Sequence, residues 1–534
     1  MPTNINIGVL GHVDAGKTAL VRALSTQGST ASFDKHPQSA ERGITLDLGF
    51  SSCLIDAGPE LTGKCTKVRL RLPATLTVSE PGVESDKLQV TWVDCPGHAS
   101  LVRTVLASVR IIDMALVVVD ATKGFQTQTG ESLVLCELAT SHVIIVLSKV
   151  DLLPQQERMA AIEKITARVR KTLSKTKFAD ASIVPTTVKP SGEMSDAEKA
   201  LYAPDAVTKC ISKLASVPVR SPDGPFLCLI DHCFLIKGQG TIATGTVIGG
   251  SVRVGDMVEI PVLGVSKKVK SIQVFRRPVK HAQQGDRVGI CLGQMDSADL
   301  ERGIVCTPSS VQTSHAFVCT VQRIRFFKRT CSSGTKFHVT LGNETMLATA
   351  VFFKDTEGSR ILVDNLPNWD TDVAAADPDV PQQQDTTLAL LRFDKPIFCP
   401  PNAAYIASRL DMDIHDSSCR MAFQGNVVAL HSDGAANKPA FAISIPRSRQ
   451  GRVERILDAN TVLVEGAFNS KSAVLAFADK PVVLLQGQIR GTIQSPFGLS
   501  GKFKAFFTGG HMLPLDGRHD PAMVEIRYAK VGMY

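Results

Sequence analysis

The residues with the clearest chemistry lie near the start of the chain, where Gly11 to Thr18 read G-H-V-D-A-G-K-T and match the phosphate-loop pattern G-x-x-x-x-G-K-[ST]. Alternating apolar residues precede this stretch and helical spacing follows it, so we predict a strand, a glycine loop and a helix. Backbone N–H groups would hold phosphate, Lys17 would reach the terminal phosphates, and the Thr18 hydroxyl would ligate Mg²⁺. The alternative is a chance glycine turn. The predicted nucleotide contacts are Gly11, Val13, Asp14, Ala15, Gly16, Lys17, Thr18 and Ala19.

Two later stretches could complete the metal and phosphate chemistry. Thr45 follows a polar stretch and could supply a second hydroxyl to Mg²⁺. Asp94 ends an apolar strand in Asp-Cys-Pro-Gly-His, where a carboxylate would hold Mg²⁺ through water. Gly97 could offer its N–H to a γ-phosphate, and His98 could orient the attacking water. The alternative for His98 is an ordinary polar surface residue. The predicted metal set is Thr18, Thr45 and Asp94.

A base-recognition motif follows another apolar strand, at Ser148-Lys149-Val150-Asp151. A carboxylate here can accept both the N1–H and the exocyclic N–H₂ of guanine, a donor pair that adenine lacks. The stem of Lys149 can lie along the base plane. We expect a backbone N–H of the stretch 187–189 to contact guanine O6. The predicted base contacts are Ser148, Lys149, Asp151, Thr187, Val188 and Lys189, and the predicted nucleotides are GTP and GDP.

These motifs imply the elements that must position them. The stretches 114–120 and 142–147 are continuous apolar runs, as expected for parallel strands covered on both faces, and every motif follows a predicted strand. After Val217, helical periodicity gives way to short alternating strands with glycine turns, which is typical of β-barrels. We therefore predict an α/β P-loop GTPase domain with a mostly parallel, doubly wound sheet, followed by β-barrel domains.

Length and composition divide the chain and limit its class. With 534 residues, several domains are expected, and we predict boundaries at 1–217, 218–308, 309–440 and 441–534. The stretch 364–387 carries six Asp and no Lys or Arg, so we predict a solvated acidic insertion. Thirteen cysteines without a C-x-x-C pair signal neither zinc nor disulfides. Without a signal peptide or membrane-length apolar run, we expect a cytoplasmic monomer that does not contact membranes.

The last stretch, residues 441–534, is the most basic part of the chain. It holds twelve Lys or Arg and seven Asp or Glu, so its net charge of +5 supplies most of the total of +8. Arg447, Arg449, Arg452 and Arg455 cluster at its start, and Lys502-Phe503-Lys504 interleaves basic and aromatic residues. Strands such as 461–464 and 473–477 predict another small barrel. This pattern permits RNA contact, and the alternative is a solvated charged face.

Residues 1 to about 215, with the phosphate loop, Thr45, Asp94–His98 and Lys149/Asp151, resemble the GTPase domain of the translational GTPase family. A GTPase followed by two barrels is the plan of elongation factor Tu, which carries aminoacyl-tRNA. Two departures occur. Ser148 replaces the usual asparagine and would loosen the brace to the phosphate loop, and Thr187-Val188 replaces the usual small pair; both bear on nucleotide affinity.

The stretches 231–234, 237–241, 284–290, 408–411 and 413–415, together with 34–35, Ser39 and 41–50, resemble the eukaryotic selenocysteine-specific elongation factors. The resemblance implies that Asp231, His232 and Arg287 line an aminoacyl pocket. A selenol is a stronger acid than a thiol, so a guanidinium and a protonatable imidazole would favour selenolate over neutral serine. The alternative is that Arg287 and Asp231 form an ordinary surface ion pair.

The resemblance implies a GTP-dependent elongation factor that delivers selenocysteyl-tRNA to the ribosome at recoded UGA codons, with ribosome-stimulated GTP hydrolysis. It further implies that the last domain works with the selenocysteine insertion element RNA or its binding protein. Two alternatives stay open. One is a general aminoacyl-tRNA or initiator-tRNA carrier of the same superfamily. The other is a regulatory, protein-binding GTPase switch, which leaves the barrels and the basic domain unexplained.

Overall fold

The computed structural model describes most of the chain, namely residues 3–28, 48–56, 87–97, 105–106, 109–174, 176–190, 194–215, 218, 220–236, 238, 240–293, 300, 302–342, 344–356, 359–367, 387–400, 402–412, 419–431, 441–485, 488–511, 513 and 522–533. Thr45, His98 and most of the predicted acidic insertion lie outside these residues.

The N-terminal part is a seven-stranded mixed sheet. Its strands are β1 (Thr3–Gly11), β2 (Gln27–Gly28), β3 (Gly49–Asp56), β4 (Lys87–Asp94), β5 (Met114–Asp120), β6 (Val143–Ser148) and β7 (Ser182–Pro185). The order is β2-β3-β4-β1-β5-β6-β7, in which β4, β1, β5, β6 and β7 run parallel and β2 and β3 form an antiparallel edge. Every residue of β5 and β6 is buried, which confirms the prediction from their apolar runs.

Helices cover this sheet, and the predicted motifs follow its strands. The helices are α1 (Lys17–Leu24), α2 (Thr127–Ala139), α3 (Arg158–Leu173), α4 (Asp196–Leu201) and α5 (Asp205–Leu214). Because β1, β4, β6 and β7 are parallel, their carboxyl ends meet at one edge, where a doubly wound sheet binds its ligand.

The next strands form an eight-stranded antiparallel sheet in the order β12-β11-β17-β8-β9-β16-β13-β14, with a separate β10-β15 pair. They are β8 (Leu227–Ile236), β9 (Gly240–Gly249), β10 (Ser251–Arg253), β11 (Met257–Ile260), β12 (Val265–Lys268), β13 (Ser271–Val274), β14 (Arg277–Val279), β15 (His281–Gln283), β16 (Arg287–Gly293) and β17 (Gly303–Cys306). A register shift between Ile230 and His232 bends β8 at Asp231, beside β9, and β9 in turn pairs with β16.

Two rings of six strands complete the chain. The first closes as β20-β24-β25-β18-β23-β21 and the second as β26-β27-β30-β29-β28-β31; β22 joins them through a parallel bridge from Ile361 to Ser444. The strands are β18 (Gln312–Thr320), β19 (Gln322–Arg323), β20 (Thr335–Leu341), β21 (Glu344–Thr356), β22 (Ser359–Val363), β23 (Thr387–Cys399), β24 (Ala404–Ser408), β25 (Met421–His431), β26 (Ala442–Ile456), β27 (Thr461–Glu465), β28 (Pro481–Leu484), β29 (Ile489–Phe497), β30 (Lys502–Phe506) and β31 (Met523–Met533). The predicted domain boundaries remain predictions.

The strand predicted at 473–477 is wrong. This stretch begins with a short helix, α6 (Lys471–Leu475), and continues as turns. The Ser470 hydroxyl caps the helix by accepting the Ala473 N–H at 3.3 Å, and Val474 packs into the barrel core. A serine cap before a short apolar run therefore outweighed the β-propensity of the segment.

The domain formed by β8–β17, called the first barrel from here on, is fastened to the GTPase domain at Gly285. Its carbonyl accepts the side-chain amides of Asn4, at 2.7 Å, and Asn6, at 3.0 Å, both on β1. A Cβ on Gly285 would lie 2.5 Å from the guanidinium carbon of Arg220, which itself pairs with Asp113 at 2.6 Å. Gly285 has φ of 95°, so glycine is needed here both for its conformation and for this close approach.

Helix α2 links the GTPase domain to the first of the two six-stranded rings. Arg420 forms a two-pronged ion pair with Glu131, at 2.8 and 2.9 Å, and both side chains are largely buried. Arg325 pairs at 2.8 Å with Glu137, which also lies on α2.

Among the described residues, no helix combines the length and the apolar run needed to span a membrane.

Candidate nucleotide and aminoacyl sites

The predicted phosphate loop adopts the strained backbone that its sequence requires. Gly11 and Gly16 have positive φ values, and Asp14 sits in the left-handed region with φ of 60°. A Cβ on Gly11 would collide with the carbonyl oxygen of Val118 on the neighbouring strand. The loop therefore packs tightly against the sheet and leads directly into α1, whose N-terminus favours anions.

Lys17 is held within this loop. Its Nζ donates to the His12 carbonyl at 2.7 Å, and only 6% of the residue is exposed. Burial lowers the pKa of Lys17, while the nearby carboxylates of Asp94 and Asp14 oppose that shift. The buried ammonium group of Lys17, within the glycine-containing phosphate loop, is suited to bind an anionic ligand.

The residues present fit a nucleotide phosphate with Mg²⁺. The Thr18 hydroxyl donates to Asp94 Oδ2 at 2.7 Å, so the two predicted metal ligands already meet, and oxygen is the donor that Mg²⁺ prefers. A Cβ on Gly97 would collide with Lys17 Nζ and lie 2.9 Å from the Val13 nitrogen. Gly97 therefore packs closely against the phosphate loop, and its contact with the γ-phosphate stays a prediction.

The predicted base-recognition residues also converge. Asp151 is buried, and its Oδ1 accepts the Thr187 hydroxyl at 2.6 Å, which orients the carboxylate. Lys149 Nζ donates to the Asp14 carbonyl at 2.6 Å and so ties this motif to the phosphate loop. The Thr187 N–H already donates to the Tyr202 carbonyl, so the expected contact to guanine O6 falls to Val188 or Lys189.

Ser148 connects the base-recognition motif to the phosphate loop, although the family usually has asparagine at this position. We call this connection the brace. Its hydroxyl lies 2.7 Å from the Ala15 carbonyl and 3.2 Å from the Val119 carbonyl, and the residue is buried. One hydroxyl proton serves two acceptors, and the shorter distance favours the phosphate loop. The smaller residue therefore still reaches the phosphate loop, and the effect of the substitution on the strength of the brace stays a prediction.

Two polar residues of this site were missed by the sequence analysis. Asp120 accepts Lys149 Nζ at 2.8 Å; burial alone would raise its pKa, but hydrogen bonds from Lys149 and Thr122 outweigh burial and lower it. Gln128 on α2 accepts the Val13 N–H at 3.3 Å. The end of the apolar strand β5 was a signal for Asp120, whereas no local pattern pointed to Gln128.

A second polar site lies in the first barrel, around Arg287. Its guanidinium donates to both oxygens of Asp231, with Nη2 2.7 Å from Oδ1, and Thr244 donates to the same Oδ1 at 3.2 Å. Arg287 is 3% exposed and the Asp231 side chain 18%, so this is not the surface ion pair considered as the alternative.

Arg287 also borders a cavity of about 60 Å³. The other lining residues are largely apolar and include Phe234, Ile242 and Phe275. Of the three predicted pocket residues, Arg287 alone is among the described residues that line this cavity. Asp231 lies behind it as the counterion, and the His232 carbonyl accepts the Thr244 hydroxyl at 3.2 Å.

Comparison with known proteins identifies the family. Four family models match: the elongation factor Tu GTP binding domain at 2–234, elongation factor Tu domain 2 at 240–307, the third domain of eukaryotic selenocysteine-specific elongation factors at 318–425, and the eEFSec C-terminal RIFT domain at 439–515. A selenocysteine-specific elongation factor from Mus musculus is 42% identical over 95% of this chain and 88% of its own. The chain belongs to the selenocysteine-specific elongation factor family.

More distant members show the same relationship. The selenocysteine-specific elongation factor of Methanocaldococcus jannaschii is 28% identical over 94% of both chains. The crystal structure of translation elongation factor SelB from Methanococcus maripaludis, in complex with the GTP analogue GppNHp, covers 99% of both chains with a TM-score of 0.71 and 25% identity. This factor is thus a GTP-binding translation elongation factor with a GTPase domain, and the general-carrier and protein-switch alternatives lose their support.

Replacing Ser148 tests the observed brace. Ser148→Ala removes the hydroxyl that holds the Ala15 carbonyl, and we expect GTP and GDP affinity to fall roughly fivefold, the equivalent of about 1 kcal/mol for one hydrogen bond. Equilibrium nucleotide binding measures this loss. Ser212→Ala is the matched control, because the Ser212 hydroxyl also bonds a backbone carbonyl, that of Asp56, but away from the loop. Equal affinities of wild type and Ser148→Ala would show that the brace does not support the nucleotide.

Proposed function

We propose that this factor binds selenocysteyl-tRNA in its GTP-bound state and delivers it to the ribosome at recoded UGA codons. Family membership supports the general role, and one observation supports the specificity: the buried Arg287 borders a small cavity whose lining is mostly apolar and also includes Arg276. An arginine in such a place favours an anionic side chain over a neutral one, because a neutral ligand would leave the guanidinium without a new partner.

The chemistry of the amino acid fits this arrangement. Selenocysteyl-tRNA and its seryl precursor share one tRNA body, so the side chain must carry the discrimination. A selenolate would gain a charge-assisted contact with Arg287, while Asp231 fixes the orientation of the guanidinium. We also propose His232 as a pocket residue, whose imidazole would add positive charge when protonated.

For the nucleotide, we propose that the loop from Gly11 to Ala19 and Gly97 bind the phosphates. Thr18, Thr45 and Asp94 would hold Mg²⁺, which when bound supplies charge neutralisation of the phosphates. Ser148, Lys149, Asp151 and the stretch 187–189 would select guanine. The meeting of Thr18 with Asp94, and of Asp151 with Thr187, supports these assignments.

We further propose that the ribosome stimulates GTP hydrolysis and that His98 orients the attacking water. His98 directly follows Gly97, whose close approach to Lys17 brings the chain to the phosphate loop. Delivery would then be tied to codon recognition, because the factor would keep its tRNA until the ribosome triggers hydrolysis.

A His98→Ala variant tests this role. We expect GTP affinity near that of wild type and ribosome-stimulated hydrolysis slower by roughly a hundredfold, the scale for losing one positioned acid–base group. Single-turnover hydrolysis with and without ribosomes is the measurement. A wild-type rate in the variant would remove His98 from the mechanism.

For the basic C-terminal domain we propose contact with the selenocysteine insertion element RNA or its binding protein, in the cytoplasm and as a monomer. Some basic side chains of this domain have acidic or aromatic neighbours in the structure. Arg452 pairs with Glu465 at 2.5 Å, Lys502 pairs with Glu454 and Glu465, and Phe503 is fully buried. Arg449 lies 5.3 Å from the Phe468 ring and 5.9 Å from that of Tyr528. All four arginines at the start of the domain, including Arg447 and Arg455, are exposed.

Replacing Arg287 tests the proposed selectivity. Arg287→Ala should weaken selenocysteyl-tRNA binding by one to two decades, the range for a lost charge-assisted contact, and leave seryl-tRNA binding nearly unchanged. Equilibrium binding of both ligands with a non-hydrolysable GTP analogue is the measurement. Arg253→Ala, an exposed arginine of the same barrel, is the matched control.

A lone Asp231 could destabilise the barrel, so the variant Arg287→Ala/Asp231→Asn repeats the test without an unpaired buried carboxylate. The same selective loss is expected. Equal losses for both aminoacyl-tRNAs would place the selectivity elsewhere in the complex.

A further inference from the structure

Arg158, the first residue of α3, is a buried cation beside the turn that carries Asp151. Only 1% of its side chain is exposed, and its Nη1 donates to Glu198 Oε1 on α4 at 2.5 Å. Its Nη2 donates to the Asp151 carbonyl at 3.4 Å and to the Leu153 carbonyl at 3.3 Å. A buried guanidinium requires such partners, because it has no water to replace them. Arg158 therefore connects the backbone of this turn to α4.

Glu198 is itself held on α4 by a capping box. Its backbone N–H donates to the Ser195 hydroxyl at 3.2 Å, and its Oε2 accepts the Ser195 N–H at 2.9 Å. Arg158 binds the other oxygen, Oε1, so each carboxylate oxygen has its own partner. Although 26% of the Glu198 side chain is exposed, these contacts give its carboxylate a defined orientation.

The end of α4 contacts the second base-recognition segment. Tyr202, directly after the helix, is 3% exposed, and its carbonyl accepts the Thr187 N–H at 2.8 Å and the Thr186 hydroxyl at 2.9 Å. Thr187 in turn donates its hydroxyl to Asp151 Oδ1 at 2.6 Å. Helix α4 is thus connected to both base-recognition segments, to one through its ion pair and to the other through Tyr202.

The turn at Asp151 depends on such support because its backbone is strained. Lys149 has φ of 59°, a left-handed conformation that is unfavourable for a residue with a side chain. The Asp151 carboxylate must also face two guanine donors at once, the N1–H and the exocyclic N–H₂, and hydrogen bonds weaken steeply when they are misaligned. Ser148 connects this motif to the phosphate loop, whereas Arg158 connects it to α4.

We propose that Arg158 and Glu198 are positioning residues for base recognition, which orient the Asp151 carboxylate toward both guanine donors. This inference rests on the proposed function, since it assigns Asp151 to guanine. The ion pair acts through the backbone of the turn and not through contact with the base. Its effect therefore lies in base selectivity rather than in phosphate binding. Inosine diphosphate separates the two, because its base keeps the N1–H but lacks the exocyclic amino group.

The first test removes the charge of Arg158 while keeping most of its volume. Arg158→Met should weaken GDP binding roughly tenfold, the scale for one hydrogen bond to a charged group, and inosine diphosphate binding only about twofold. The preference for GDP would then fall about fivefold. Equilibrium binding of both nucleotides is the measurement. Arg170→Met is the matched control, because Arg170 lies on the same helix and donates to the backbone carbonyls of Ala179 and Ala181 instead.

The second test keeps Arg158 in place, so that the inference can be judged even if Arg158→Met does not fold. Glu198→Gln removes the charge of the partner but leaves an oxygen that can accept a hydrogen bond. We expect a smaller loss of GDP preference, about twofold, because the charge-assisted bond becomes an ordinary one. Asp196→Asn makes the same change at an exposed carboxylate of α4 and should leave the preference at the wild-type value.

A double-mutant cycle with Asp151 separates the inference from the proposed function. Asp151→Asn should itself lower the preference for GDP over inosine diphosphate, and in that background Arg158→Met should lower it no further, because the group it positions is gone. A wild-type preference in Asp151→Asn would overturn the assignment of Asp151 to guanine. If Asp151→Asn lowers the preference, the inference is overturned by an unchanged preference in Arg158→Met or Glu198→Gln, by equal losses for both nucleotides, or by a full further loss in the double variant.

Discussion

A guanidinium that is almost completely removed from water must find its partners inside the protein, and Arg287 is the point where this requirement shapes two domains at once. The barrel supplies the countercharge through Asp231, on the bulged strand β8, and the GTPase domain supplies the ring of Phe50. The barrel and the sheet must meet at this point for the arginine to be satisfied. Arg287 also borders a cavity, where the guanidinium could form a charge-assisted contact with an anionic ligand.

A second constraint fixes the same two domains through β1. Near the start of this strand, Asn4 and Asn6 donate to the Gly285 carbonyl. The strand ends at Gly11, where the phosphate loop begins. Gly285 stands two residues before Arg287 on the chain. The stretch 284–290 is therefore held at two points of the GTPase sheet. The Gly285 carbonyl is bound by side chains of β1, and the Arg287 guanidinium lies against the Phe50 ring on β3. Such a junction can transmit small shifts, because packed interfaces have discrete arrangements rather than continuous ones.

Local patterns in the sequence were sufficient for the parts of the site that lie within single segments. The phosphate loop, Asp94, the base motif and the strands of the first barrel follow from spacing and periodicity, since each depends on neighbours a few residues away. The contacts of Arg287 with Phe50, of Val13 with Gln128 and of Lys149 with Asp120 join residues far apart in sequence, and only the fold brings them together. In the last domain, composition gave the net charge but could not show that Arg452 pairs with Glu465 on a neighbouring strand. The helix at 471–475 was missed because the stretch 473–477 was predicted as a strand and the Ser470 cap before it was not considered.

The central claim is that a buried cation reads the charge of the amino acid, and pH controls that charge directly. The decisive measurement is equilibrium binding of selenocysteyl-tRNA and seryl-tRNA to the wild-type factor, loaded with a GTP analogue, across pH values on both sides of the selenol pKa. We predict a strong preference for selenocysteyl-tRNA above that pKa and its loss below it, because protonation removes the anion while Arg287 stays charged. A preference that stays the same across this range would contradict the account.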